Sequence, residues 1–167
     1  MRRTVRIAAG VAAAVAVTAF AISCDDSTGP TPKVYVANLN TAAEQNAAIT
    51  TGASGTVTFV DNGTSIDWTM ELNNVTNMTV SHIHRGTAAN VGTTAGPVIY
   101  NLFLPNQPPP TGTLNGFVQG GQLTNANNSG ISLDSLRVLF NNGNAYANVH
   151  TSAFPAGEIR DQIHPVN

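Results

Sequence analysis

A single cysteine, Cys24, stands in 167 residues, so no intrachain disulfide can form. Stability therefore has to come from apolar burial and a hydrogen-bonded backbone. Charge is scarce too, at 10% of residues. Of the seven basic residues, Arg2, Arg3 and Arg6 crowd the first six positions, leaving Lys33, Arg85, Arg137 and Arg160 against nine acidic ones. That balance lacks the basic footprint of a nucleic-acid binder and the polybasic patch that holds anionic lipid. There is no GxSxG elbow and no HExxH, so neither a hydrolase nucleophile nor a zinc-protease helix is encoded. Asp67 and Glu71 alternate outward on one expected strand and do not form a paired acid and base. No apolar run reaches the roughly 20 residues needed to span a bilayer as a helix.

What is present starts at the N-terminus. The three arginines precede an uncharged run rich in Ala and Val at 7–22, which ends in Ala21-Ile22-Ser23-Cys24. A basic start, an apolar middle and a small-residue cleavage site make an export signal. A cysteine at the boundary resembles the bacterial lipoprotein version, cut before a cysteine that then carries lipid. The expected organisation is a lipoprotein-type signal at 1–23, a flexible tether at 24–32 and one domain at 33–167. Two or three acyl chains on Cys24 give firm attachment to a membrane, where one alone is marginal.

Beyond the tether, hydrophobic alternation of period two recurs. Strands are expected at 34–39, 55–60, 66–72, 78–84, 97–103, 112–118, 145–150 and 158–164. The clearest is Ile66-Asp67-Trp68-Thr69-Met70-Glu71-Leu72, with Ile66, Trp68, Met70 and Leu72 directed into a core. Asn62-Gly63 offers two positive-φ positions for a tight hairpin turn, and Asn73-Asn74 is read as the next turn. Pro105 to Pro110 excludes a strand there, and the Gly/Asn-rich stretch 120–130 reads as a loop. Ser132 can cap one short helix near 132–141, with Gly143 ending it. Seven or eight short strands at this spacing imply an all-β fold, an antiparallel β-sandwich or small barrel.

His82 and His84 flank Ile83 on an expected strand, so both rings project from one face, about 7 Å apart at the backbone. If Ala147 and Val149 face the core, His150 shares the opposite face with Tyr146 and Asn148. The last strand sets Glu158, Arg160, Gln162 and His164 on one face. His82, His84 and His150 are thus candidate metal ligands, since imidazole suits copper, zinc, nickel and iron. Glu158, Arg160 and Gln162 are candidates to hold a ring N–H or steer access. The plainer reading is a hydrogen-bonded pair of histidines with no ion, and an ordinary Glu158–Arg160 ion pair beside the Pro155-Ala156-Gly157 turn.

Ser81-His82-Ile83-His84-Arg85-Gly86, followed by Asn148-Val149-His150-Thr151 and Pro155-Ala156-Gly157-Glu158-Ile159-Arg160-Asp161-Gln162, resembles the CHRD domain, named for chordin and also present in bacterial exported proteins. The resemblance runs over about 33–163. Arg85 stands where Gly often follows the second histidine, and Asp161 replaces the Gly of a GEIRGQ motif, which puts the local geometry of the last strand in question. His164 lies beyond the motif. The resemblance strengthens the expectation of metal binding, three neutral imidazoles suit copper among the metals, and three roles are compatible with both. The first is an exported, lipid-anchored metal-binding module. The second is a metal-free interaction or structural domain with an unspecified protein partner. The third is a copper-dependent redox enzyme.

Overall fold

The computed structural model describes residues 31–44, 46, 48–88, 96–103, 108, 110–126 and 130–166. The expected export signal at 1–23 and most of the expected tether lie outside the described residues. Among the described residues nine strands appear in chain order: β1 (Lys33–Asn40), β2 (Ser54–Asp61), β3 (Ile66–Thr76), β4 (Met78–Arg85), β5 (Val98–Phe103), β6 (Thr113–Leu123), β7 (Ala145–Thr151), β8 (Ile159–Gln162) and β9 (His164–Pro165). The α-helix of the described residues, α1 (Leu133–Asn141), lies between β6 and β7. All pairings are antiparallel. The all-β expectation with one short helix is met. The strands form one continuous, nearly closed sheet in the order β5-β4-β7-β8-β1-β2-β3-β6, with β9 added beside β1.

The core follows from period-two alternation. Ile66, Trp68, Met70 and Leu72 are all buried, as are Val57 and Phe59 across the β2–β3 ladder. Helix α1 adds Leu133, Leu136 and Phe140 to the same core, and Phe140 packs its ring 5.2 Å from Tyr35 and 5.1 Å from Phe59. Ser132 caps the helix by accepting from Ser135 N at 3.2 Å, and the helix ends at Asn141, with Asn142 as its C-cap immediately before Gly143. Arg137 fixes α1 to the sheet with a two-pronged grip on Asp61, at 2.8 and 2.9 Å. That grip is the leading reason the Asp61 carboxyl titrates below its usual range.

Three local expectations are corrected. The β2–β3 connection spans 62–65, and only Gly63 in it takes a positive φ, of 87°. Asn62 closes the loop instead through its own N–H to Ser65 O at 2.9 Å. Asn73-Asn74 does not turn the chain: β3 continues to Thr76, with a bulge between Asn73 and Val75 that Asn74 accommodates at φ 56°. Asparagine tolerates the left-handed region, which is why the same residue pair suits a bulge as well as a turn. Finally, β6 runs to Leu123, through glycines that read as loop. Gly121 pairs with Trp68, and a Cβ there would stand 3.0–3.1 Å from the indole. The glycine leaves room for the largest side chain in the chain, so the strand persists because it lacks a side chain.

Candidate metal centre

The site is built on β4 and β7. Their register sets Val80 opposite His150, His82 opposite Asn148 and His84 opposite Tyr146. Ser81, Ile83, Ala147 and Val149 are fully buried on the core side. Alternation therefore sends His82, His84, Tyr146, Asn148 and His150 to the other face. That face is itself covered: His84 is 4% exposed, Asn148 1% and His150 9%, while His82 is half-buried and gives the cluster its opening. Residues 68 apart in sequence are thus adjacent: His82 Nδ1 lies 3.2 Å from His150 Nε2. The rings of His82 and His84 are 5.5 Å apart, and those of His82 and His150 5.0 Å. One ring nitrogen from each of the three lies within 4.8 Å of the others.

Backbone carbonyls fix two of the tautomers. His84 Nδ1 is 2.6 Å from Gly96 O and His150 Nδ1 is 2.9 Å from Pro155 O. A carbonyl only accepts, so each Nδ1 carries the proton and each Nε2 presents a lone pair to the cluster. The Nε2 of His84 is buried and has no hydrogen-bond partner. Burial is the leading cause that lowers the pKa of all three rings. For His82, with further repulsion from His150 and His84, it drops to about 4. Near neutrality all three rings are uncharged, the state in which imidazole binds metal. Nitrogens about 2.0–2.1 Å from one ion stand roughly 3–3.4 Å apart, and the 3.2 Å between His82 and His150 fits that spacing.

Behind the histidines lies a stacked support. Tyr146 lies flat on His84, with ring centroids 4.9 Å apart and planes 5° apart. The Arg160 guanidinium sits 5.2 Å from the centre of the Tyr146 ring. Arg160 forms a buried ion pair with Glu44 of a short 3-10 turn (Ala42–Glu44), not with Glu158. Gly157 makes this possible: its φ is +128°, and a Cβ there would fall 2.5 Å from Glu44 Oε1. The Tyr146 hydroxyl accepts from Gly96 N at 3.2 Å, which steadies the carbonyl that holds His84.

The other sequence candidates are placed as follows. Glu158 accepts from the Thr51 hydroxyl at 2.6 Å. Gln162 accepts from Ala88 N at 2.6 Å and donates to Gly86 O at 3.1 Å and to Ala145 O, tying the connection after β4 to β7. The ring N–H groups of His84 and His150 are thus held by main-chain carbonyls, and Arg160 acts on His84 through Tyr146. His164 lies on β9, paired with Val36 and exposed, apart from the cluster. Asp161 sits in β8 opposite Ala147 without breaking the pairing, and its carboxylate accepts from Asn38 N at 3.0 Å. Sequence reasoning missed Glu44, although it is the only charged residue between Lys33 and Asp61. It also missed Gly96 and Pro155, whose carbonyls leave no side-chain signal.

No curated protein and no solved structure shows a significant match to the chain. A family model described as the CHRD domain matches residues 35–163. The matched span runs from β1 through the end of β8 and contains every residue of the histidine cluster and its stacked support. The protein belongs to the CHRD domain family.

Proposed function

We propose that this protein is an exported, lipid-anchored module that captures a transition metal ion, with copper the preferred ion, through His82, His84 and His150. The observation that carries the reading is the buried, unpartnered Nε2 of His84 beside two further neutral imidazoles within 4.8 Å. A buried acceptor with no donor is costly unless something positive satisfies it. Among divalent first-row ions, copper binds nitrogen sites most tightly. The lowered ring pKa values extend the range of binding: protons compete with metal at His82 only near pH 4, not near 6 as for a free histidine. Cys24 supplies the anchor and 24–32 the reach from the membrane.

A metal-free interaction domain is the second reading. Its support is the direct His82–His150 hydrogen-bond contact at 3.2 Å, which pairs those two rings without an ion. A copper-dependent redox enzyme would need turnover that scales with bound copper. A thermal melt of the purified full chain separates these readings. Added copper raises the melting temperature by mass action, and His82→Ala or His150→Ala abolishes the rise. A wild-type melt indifferent to copper, zinc and nickel overturns the metal reading in favour of the interaction domain.

A further inference from the structure

We infer that the side-chain carbonyl oxygen of Asn148 is a fourth donor in the histidine cluster and biases the site toward a divalent transition metal over the cuprous ion. The inference rests on the metal-binding reading above and adds the identity of a ligand and an oxidation state. Asn148 occupies the middle of the arrangement. It pairs directly with His82 across the β4–β7 ladder. His150 lies two residues further along its own strand, and His84 two residues beyond His82 on the neighbouring one, all on one face. No other residue position adjoins all three histidines in this register.

The side chain is 1% exposed, and its Oδ1 has no hydrogen-bond partner. The amide lies within hydrogen-bonding reach of the His84 ring, but with the Nδ1 proton given to Gly96 O the ring's Nε2 has nothing to donate, so that contact leaves both the oxygen and the nitrogen without a donor. Both atoms are acceptors, because His84 has committed its Nδ1 proton to Gly96 O. Two unsatisfied acceptors side by side share one requirement, a positive centre between them. A leucine would fill similar volume on this strand without leaving an orphaned oxygen, so packing alone does not account for the asparagine. The amide oxygen is a hard, neutral donor. Carbonyl oxygen favours divalent ions, whereas cuprous copper prefers soft sulfur or imidazole alone.

The test compares wild type, Asn148→Leu and Asn148→Asp as full-length protein, with folding checked by circular dichroism. Cupric affinity is read by competition with nitrilotriacetate, cuprous affinity by competition with bicinchoninate, and the cupric ligand set by electron paramagnetic resonance. Asn148→Leu is expected to weaken cupric binding by about tenfold or more, to leave cuprous binding unchanged and to alter the cupric spectrum. Asn148→Asp keeps an oxygen in place and restores cupric binding. Wild-type cupric affinity and spectrum in Asn148→Leu, or an equal loss for both oxidation states, overturns the inference while leaving the three-histidine site standing. Should Asn148→Leu not fold, an Asn148→Asp spectrum identical to wild type overturns it. A wild-type protein that binds neither ion overturns the parent reading and this one together.

Discussion

At the scale of single residues, the site is governed by where protons reside. His82, His84 and His150 are held neutral by burial, with His82 titrating near 4 in the folded chain against about 6.5 unfolded. Between those values the unfolded state binds more protons than the folded one, so stability falls as pH falls. The metal-free protein is expected to be most stable above pH 6.5 and to lose stability progressively down to about pH 4. Urea midpoints measured across that window check this, and His82→Ala flattens the slope. An unchanged slope in His82→Ala would mean that this ring does not drive the loss. The pairing of His82 and His84 on one face was legible in the sequence because strand alternation is a local property. The approach of His150 was not, because it depends on β4 and β7 pairing across 68 residues. Asn148 was seen to share a face with His150, but its unpartnered oxygen becomes visible only when the neighbouring strand is in place.

At the scale of elements, a 3-10 turn, a glycine turn and a short strand cooperate to support one histidine. Glu44 reaches Arg160 from 116 residues away, and Arg160 lies against Tyr146, which lies against His84. Removing one partner of a buried pair leaves the other charge uncompensated, at a cost of about 3–5 kcal/mol. Arg160→Met is therefore expected to destabilise by that amount, whereas Glu44→Leu combined with Arg160→Met costs less than either change alone. Chemical denaturation of the three variants checks this, and simple additivity would contradict it. This partnership was not legible in the sequence, where Glu158 was the nearer acid. The extent of β6 was misread for a related reason. Glycine content signals a loop when read locally, but Gly121 answers to the Trp68 indole on the adjacent strand. By contrast, α1 and its Ser132 cap were legible, since a cap and its helix lie within one turn of each other.

At the scale of the whole molecule, one nearly closed antiparallel sheet buries an apolar core on its inside and carries a buried polar cluster on its outer face, under Glu44, Gly96 and the 155–157 turn. Among the described residues, no helix is long and apolar enough to cross a membrane. Membrane attachment in our proposal rests on Cys24. Replacing Cys24 with Ser is expected to move the protein from the membrane fraction to the soluble exported fraction, as read by cell fractionation. Retention in the membrane fraction would contradict the lipid anchor while leaving the metal site untouched. The architecture itself was legible because alternation and turn residues recur along the whole chain. Strand order was not, because β7 inserts between β4 and β8 by contacts no local pattern encodes. The central claim is that three imidazoles converge on one ion. Its most direct test is anomalous diffraction at the copper edge from crystals of the protein grown with copper. The account predicts one strong peak bounded by the rings of His82, His84 and His150, and an empty map at that position under copper saturation would contradict it.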